Sequence, residues 1–149
     1  MHALLPKVAA FCAYQDRSRP EIIEKMIALM IPETEWDAIF SFLEKERYFN
    51  ELRFAESFIG GKFRQKQWGK RKILFEIRVH KIPAAFIARA LETEIPDDAY
   101  YTLIETLIEK KAKELKKDPP YQQKAKIARF LLQKGFTWEE FGDALQQPQ

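Results

Sequence analysis

The chain contains a single cysteine and only five glycines in 149 residues, and each scarcity excludes a class of protein. One cysteine, Cys12, cannot form an internal disulfide, so a small disulfide-stapled fold is excluded and a reducing compartment is favoured. Few glycines, together with abundant Lys, Glu, Ala, Ile and Leu, favour helices over sheets. No segment alternates apolar and polar residues clearly enough to predict a strand.

Long apolar runs are also missing, since no stretch approaches the roughly 18 residues that a membrane-spanning helix needs. The N-terminal segment lacks a convincing signal-peptide pattern. With 46% apolar and 32% charged residues, the composition is that of a globular protein rather than a disordered one. We therefore expect a soluble, cytoplasmic protein without a membrane partner.

Residues that carry catalysis or bind metals are scarce as well. Of the two histidines, His2 lies near the N-terminus, and His80 is predicted late in a helix, where the helix dipole explains its position. Cys12 lies on an apolar helix face and is predicted to be a small buried side chain. No metal-ligand spacing, glycine-rich phosphate loop or nucleophile motif is present. We predict no enzymatic activity, no catalytic residue, no metal and no cofactor.

Helical apolar patterns run along the whole chain and repeat. Ser18 and Glu21 have capping-box spacing before one helix, Thr34 is placed to cap the next, and Asn50 to cap a helix running to about Arg64. Equivalent positions then recur at offsets of 51 and 54 residues, as in the sets Ile22, Ile73 and Ile127, and Met26, Ile77 and Leu131. This periodicity predicts an all-α fold of three tandem three-helix repeats, residues 1–49, 50–92 and 93–149, forming an elongated, curved array.

Positive charge is concentrated in the middle repeat, although the net formal charge is only +3. Residues 52–92 carry ten basic and three acidic groups, and no acid occurs between Glu56 and Glu76. A field of this kind steers anionic partners rather than dictating the fold. We predict that a partner or DNA contacts seven cations of this repeat: Lys62, Arg64, Lys66, Lys70, Arg71, Lys72 and Arg78.

The competing interpretation is that residues 62–72 are simply a solvated face. For the aromatic residues within this stretch, a core role is favoured for Phe63 over stacking on a base, and Trp68 is expected to pack under the helix that follows it. The lysine-rich segment 110–117 has Glu114 within it and Glu109 just before it, so pairing along a helix explains it and a solvated face is favoured there.

Several segments resemble the RecX family, the regulatory proteins of the RecA recombinase. Residues 48–59 and 68–73 resemble the family's second repeat, residues 12–26 its first, and residues 128–145 its last. The order and spacing of these segments are more specific than any one of them. The family often has glycine in the turn before the last helix of a repeat; here Met30 and Lys81 take that place, and only Gly135 keeps it.

The resemblance implies a non-enzymatic protein that binds the RecA filament on single-stranded DNA and restrains its ATPase, strand-exchange and co-protease activities. It places the protein in homologous recombination, DNA repair and the SOS response. The alternative is a direct nucleic-acid-binding protein of helix-turn-helix-like units that contacts the phosphates of single- or double-stranded DNA. The candidate recognition helices 34–45, 83–92 and 137–146 carry only Lys45 and Arg89 as basic residues, which argues against base readout. We expect a monomer.

Overall fold

The computed structural model describes residues 2–146 of the chain and contains only helices and their connections in that range. Residue 1 and residues 147–149, at the outer ends of the first and third predicted repeats, lie outside the described residues. The prediction of an all-α fold is confirmed. The α-helices are α1 Leu5–Tyr14, α2 Arg19–Ala28, α3 Trp36–Lys45, α4 Glu51–Arg64, α5 Lys70–Ile77, α6 Ala84–Glu94, α7 Asp97–Glu114, α8 Pro120–Lys134 and α9 Trp138–Gln146, with 3-10 helices at Glu33–Glu35 and Arg78–His80.

Local polar side chains mark where α2 and α4 begin. The predicted capping box at the start of α2 is present, and the Ser18 backbone N–H donates to Glu21 Oε1 at 2.8 Å. At the start of α4, Asn50 Oδ1 accepts the backbone N–H of Arg53 at 2.9 Å, as predicted. The expected cap at Thr34 is wrong, because this residue lies inside a 3-10 helix that delays the start of α3 to Trp36.

The described residues divide into two compact units that interleave along the chain. The first unit is drawn from Met1–Phe58 and Ile77–Ala90, and the second from Ile59–Glu76 and Leu91–Gln149. Among the described residues, each unit contains fully buried apolar side chains, such as Ile22 in the first and Phe141 in the second.

In the first unit, the interior is formed by apolar residues of α1, α2 and α3, including Val8, Ile22 and Ile39, all fully buried. Cys12 is also buried, as predicted, and burial raises the pKa of its thiol to about 11. His80 does more than face a helix end, because its Nδ1 lies 2.8 Å from Ser18 Oγ while its ring packs on Phe54 at 4.8 Å.

In the second unit, Tyr100 of α7 is fully buried at the centre. Its hydroxyl accepts the backbone N–H of Lys70 at 2.9 Å and donates to Glu140 Oε1 at 3.1 Å. The same Glu140 oxygen accepts the backbone N–H of Thr137 at 2.9 Å, so one carboxylate joins α7 to the start of α9. The pKa of the Tyr100 phenol is raised, mainly by burial. This tyrosine is thus a polar joint between α5, α7 and α9.

Left-handed backbone occurs at the three equivalent turns where the sequence shows Met30, Lys81 and Gly135. Their φ angles are 57°, 52° and 101°. Glycine adopts this conformation at little cost, whereas other residues are disfavoured there. The first two turns therefore have the left-handed geometry of the third, although they lack its glycine. The side chains of Met30 and Lys81 are exposed.

Across residues 2–146, none of the helices is both long and apolar enough to cross a membrane.

Candidate binding surface

The basic corner predicted from the sequence is the connection between α4 and α5 in the second unit. At its centre the half-buried ring of Trp68 contacts two ammonium groups, with Lys62 Nζ 5.0 Å and Lys72 Nζ 4.5 Å from the ring centroid. Cations placed over an indole face are attracted by its quadrupole. Trp68 therefore holds two of the predicted cations beside each other.

Phe63, the other aromatic side chain of this corner, belongs to the core, as the sequence analysis favoured. It is 8% exposed, and its ring centroid lies 6.1 Å from that of Tyr100. Base stacking by Phe63 would require this side chain to leave the interior of the unit.

Two of the predicted cations have carboxylate partners within the unit. Arg64 Nη1 lies 3.1 Å from Glu94 Oε1, and Lys70 Nζ lies 4.0 Å from Asp97 Oδ1 and 4.6 Å from the ring centroid of Tyr100. The positive charge of Arg64 and Lys70 is therefore partly compensated.

The cations that remain uncompensated are Lys66, Arg71 and Lys72. Lys66 and Arg71 are exposed and Lys72 is half-buried. Throughout residues 2–146, no carboxylate lies within ion-pair distance of any of the three side chains. Within the described residues, the positive charge of these three side chains is therefore not balanced by an ion pair.

A close backbone contact brings the turn after α8 against this corner. The Gly69 N–H donates to the Lys134 carbonyl at 2.8 Å, and a Cβ atom on Gly69 would overlap the carbonyl of Gly135. In the same place Lys134 Nζ donates to the Lys66 carbonyl at 2.8 Å. Absence of a side chain at Gly69 is thus what allows the two turns to meet.

The contact adds positive charge to the corner from the third predicted repeat. Burial lowers the pKa of Lys134, and the nearby charges of Lys72 and Lys110 lower it further. Such crowding of like charges disfavours the protonated form and favours an anion beside it. We call the group formed by Lys66, Arg71, Lys72, Lys110 and Lys134 the basic surface.

Sequence reasoning missed two members of the basic surface. Lys134 was assigned no role, and Lys110 was placed with a solvated lysine-rich face. Gly135 marks the turn that carries Lys134, but no pattern in the sequence relates that turn to residue 66 or 69. The convergence depends on tertiary packing alone.

Arg78, the last predicted site residue, is exposed in the 3-10 helix Arg78–His80 and belongs to the first compact unit. Its grouping with residues 62–72 stays a prediction.

The remaining lysines of segment 110–117 behave largely as a solvated face. Lys111 Nζ pairs with Glu114 Oε2 at 3.2 Å, one helical turn away, and also lies 4.8 Å from the ring centroid of Phe130. Lys113, Lys116 and Lys117 are exposed. Only Lys110 of this segment contributes to the basic surface.

Groups of three or more His, Cys, Asp or Glu side chains that could hold a metal ion do not occur within residues 2–146.

Comparison with known families covers both the corner and the turn that meets it. Residues 50–91 match the model of the second three-helix domain of RecX, and residues 98–145 match that of the third. A regulatory protein RecX from Pasteurella multocida is 30% identical over 136 residues, which cover 90% of this chain and 80% of that protein. The chain belongs to the RecX family. Its predicted architecture of tandem three-helix repeats is thereby confirmed, while the exact repeat boundaries stay a prediction.

Two further comparisons with RecX proteins cover nearly the whole of this chain. The regulatory protein RecX of Oceanobacillus iheyensis is 26% identical over 147 residues, and the chain spans 54% of that relative's length. The crystal structure of RecX from Lactobacillus salivarius matches with a TM-score of 0.86 at 25% identity, over 95% of this chain and 92% of that one. The basic surface therefore lies within two domains that the RecX family models describe.

Proposed function

We propose that this RecX-family chain is a non-enzymatic cytoplasmic regulator that binds the RecA filament on single-stranded DNA and restrains its ATPase, strand-exchange and co-protease activities. The proposal rests on family membership together with one observation, the uncompensated charge of the basic surface. A filament of protein on DNA offers phosphates and acidic protein surface, which are the groups that such a surface attracts.

The basic surface is favoured over the other predicted cations as the contact region. Arg64 and Lys70 already have carboxylate partners, whereas Lys66, Arg71 and Lys72 have none within the described residues. An anion that replaces water beside Lys134 and Lys72 also relieves their mutual repulsion. Binding of an anion at the basic surface is therefore favoured by positive charges that have no carboxylate partner in the described residues.

The test is the DNA-dependent ATPase of RecA from the same organism, measured with increasing amounts of the purified chain. We expect inhibition by the unmodified chain and a loss of potency of about tenfold or more in the Lys66→Glu/Arg71→Glu/Lys72→Glu variant, since tenfold corresponds to about 1.4 kcal/mol. Unchanged helicity by circular dichroism would show that the variant folds.

The matched control reverses three exposed lysines outside the basic surface, Lys113→Glu/Lys116→Glu/Lys117→Glu, and so makes the same change in net charge. We expect this variant to inhibit nearly as well as the unmodified chain. Equal losses in both variants would contradict a localised contact, and no effect of the unmodified chain on RecA would remove the proposal altogether.

Direct binding to nucleic acid is the second candidate, and the crowding of Lys72, Lys110 and Lys134 favours it. Backbone contact is expected rather than base readout, because α3, α6 and α9 carry only Lys45 and Arg89 as basic residues. Binding of a single-stranded oligonucleotide without RecA, with affinity that falls steeply with salt, would support it. Sequence-selective binding to duplex DNA would contradict backbone contact.

A further inference from the structure

An apolar groove is lined by residues of α8 and α9, none of which belongs to the basic surface. Its volume is about 450 Å³, which lies in the range of roughly 300–1,000 Å³ typical of ligand-binding clefts. Leu132 and Trp138 line it while remaining 37% and 51% exposed, and the buried side chain of Leu145 forms part of its floor. Exposed leucine and tryptophan side chains along one groove are typical of an interaction site.

Trp138 is exposed although its helix is strongly amphipathic. The apolar spacing of α9 predicts one face formed by Trp138, Phe141 and Leu145, but only Phe141 and Leu145 of the three are buried. Trp138 packs on Phe141 with ring centroids 4.9 Å apart, so part of the indole is covered while the rest faces the groove. The indole is therefore held in place by the core and presented to the outside.

The charged residues that line the groove are both cations. Lys124 and Arg129 of α8 are exposed, and within residues 2–146 neither has a carboxylate partner. By contrast, the neighbouring Lys126 pairs with Asp118 at 2.6 Å. The groove thus combines an apolar floor with a rim of uncompensated positive charge.

We infer that this groove binds a short acidic segment of a partner protein, one that inserts large apolar side chains between Leu132 and Trp138 and places carboxylates against Lys124 and Arg129. Apolar insertion supplies the favourable burial, and charge complementarity fixes the orientation and raises the association rate. Segments with alternating acidic and apolar residues dock into helix-lined grooves in this way. The inference is independent of the identity of the partner at the basic surface.

A protein segment is favoured over a nucleobase as the occupant. The floor consists of leucine and alanine side chains, including Ala125 and Ala128, which offer no hydrogen bond to a base edge. Stacking on Trp138 is also restricted, because Phe141 already packs on the indole. A flat platform for successive bases is therefore lacking at this place.

The experiment measures fluorescence anisotropy of a labelled twelve-residue peptide of glutamates with two leucines four positions apart. Two control peptides replace the glutamates by lysine or the leucines by serine, and a labelled oligothymidylate serves as the nucleic-acid probe. Among the three peptides, we expect saturable binding only of the one that carries both glutamates and leucines, and any binding of oligothymidylate should be unaffected by Trp138→Ala. The Lys124→Glu/Arg129→Glu variant should weaken it about tenfold or more, whereas Lys113→Glu/Lys116→Glu should change it less than about twofold.

A second readout locates the peptide. In the nitrogen-15 spectrum of the full chain, the indole N–H signal of Trp138 should shift on titration, while those of Trp36 and Trp68 stay in place. Equal binding of the lysine peptide, binding of oligothymidylate that is lost in the Trp138→Ala variant, or absence of any peptide binding would overturn the inference. A dimer in sedimentation that Trp138→Ala dissociates would also overturn it, because the groove would then serve a second copy.

Discussion

The lysine-rich stretches at 62–72 and 110–117 differ in what surrounds their charges. In the second stretch Lys111 has Glu114 one turn away, and the other lysines are exposed at the end of α7 and just after it. In the first, Lys62 and Lys72 both contact the ring of Trp68, and Lys134 at the end of α8 donates to the Lys66 carbonyl. The number of lysines in a segment is therefore a weak indicator of a binding surface. The absence of nearby carboxylates and the convergence of a second element are stronger indicators.

The largest expected effect comes from separating the two elements that form the basic surface. In Gly69→Ala, the added methyl group would overlap backbone atoms of Gly135, which no side-chain movement can relieve. We expect the free energy of unfolding to fall by about 3 kcal/mol, at the upper end of overpacking effects, measured by urea titration.

Gly61→Ala is the matched control, since a Cβ atom there meets nothing within 4 Å. Because Gly61 lies inside α4, alanine should stabilise the chain by roughly 0.5–1 kcal/mol. If Gly69→Ala is as stable as the unmodified chain, the turns do not touch and the basic surface is not assembled as described.

Next in size is Tyr100→Phe, which removes the hydroxyl that joins the start of α5 to α9. The Lys70 N–H and the Glu140 carboxylate would each lose a partner in a buried place, and we expect a loss of about 2 kcal/mol in the free energy of unfolding. The change should leave the lysine-rich end of α7 unaffected, since that segment does not depend on Tyr100. A loss below a few tenths of a kcal/mol would contradict a stabilising role for the two hydrogen bonds of the Tyr100 hydroxyl.

The same substitution predicts a pH dependence. The raised pKa of Tyr100 means that the folded chain retains the phenol proton when the unfolded chain, with an ordinary pKa of 10.0, releases it. The stability that the tyrosine contributes is therefore complete below pH 10 and is lost as the pH rises above that value. Urea midpoints of the unmodified chain and Tyr100→Phe should converge in alkaline solution. A gap that widens there would contradict this sign.

The third prediction compares the two stretches through salt. If single-stranded DNA binds the basic surface, each phosphate contact contributes about 0.7 to the slope of log affinity against log salt. Lys66→Glu/Arg71→Glu/Lys72→Glu should lower that slope by about 2, which is roughly twentyfold in relative affinity between 50 and 200 mM salt. The three lysines reversed in the control variant should leave the slope nearly unchanged. Identical slopes for the two variants would remove the distinction between the stretches.

The smallest effect is expected within the solvated stretch itself. Glu114→Gln breaks the exposed pair with Lys111 and should cost only about 0.2–0.5 kcal/mol in the free energy of unfolding. Urea titration at low and high salt should show that even this difference disappears when the charges are screened. A loss above about 1 kcal/mol would mean that Glu114 makes stabilising contacts beyond its ion pair with Lys111.

Much of the fold was predictable because local chemistry determines it. Ile22, Ile73 and Ile127 occupy equivalent apolar positions in the sequence and are all buried in the structure. Ser18 and Asn50 begin their helices as their spacing predicts. The helix cap predicted at Thr34 is wrong because a capping side chain expresses only a local preference. The 3-10 helix at Glu33–Glu35 overrides that preference.

The candidate site was predictable only in part, because its members come from distant parts of the chain. The acid-free run at residues 62–72 pointed to the right corner, but it could not separate Arg64, which pairs with Glu94, from Arg71, which pairs with nothing in the described residues. Lys134 lies 68 residues from Lys66 in sequence, and its ammonium group donates to the Lys66 carbonyl. Tertiary contacts of this kind produce no periodic pattern in the sequence.

The contact of Trp68 with two lysines has a spectroscopic consequence. The ammonium groups of Lys62 and Lys72 lie 5.0 Å and 4.5 Å from the ring centroid, so their charges contribute to the electric field at the indole. An anion that draws these groups away alters the local field at the chromophore and shifts its emission. In a chain whose Trp36 and Trp138 are replaced by phenylalanine, occupancy of the corner could therefore be followed optically without any attached dye.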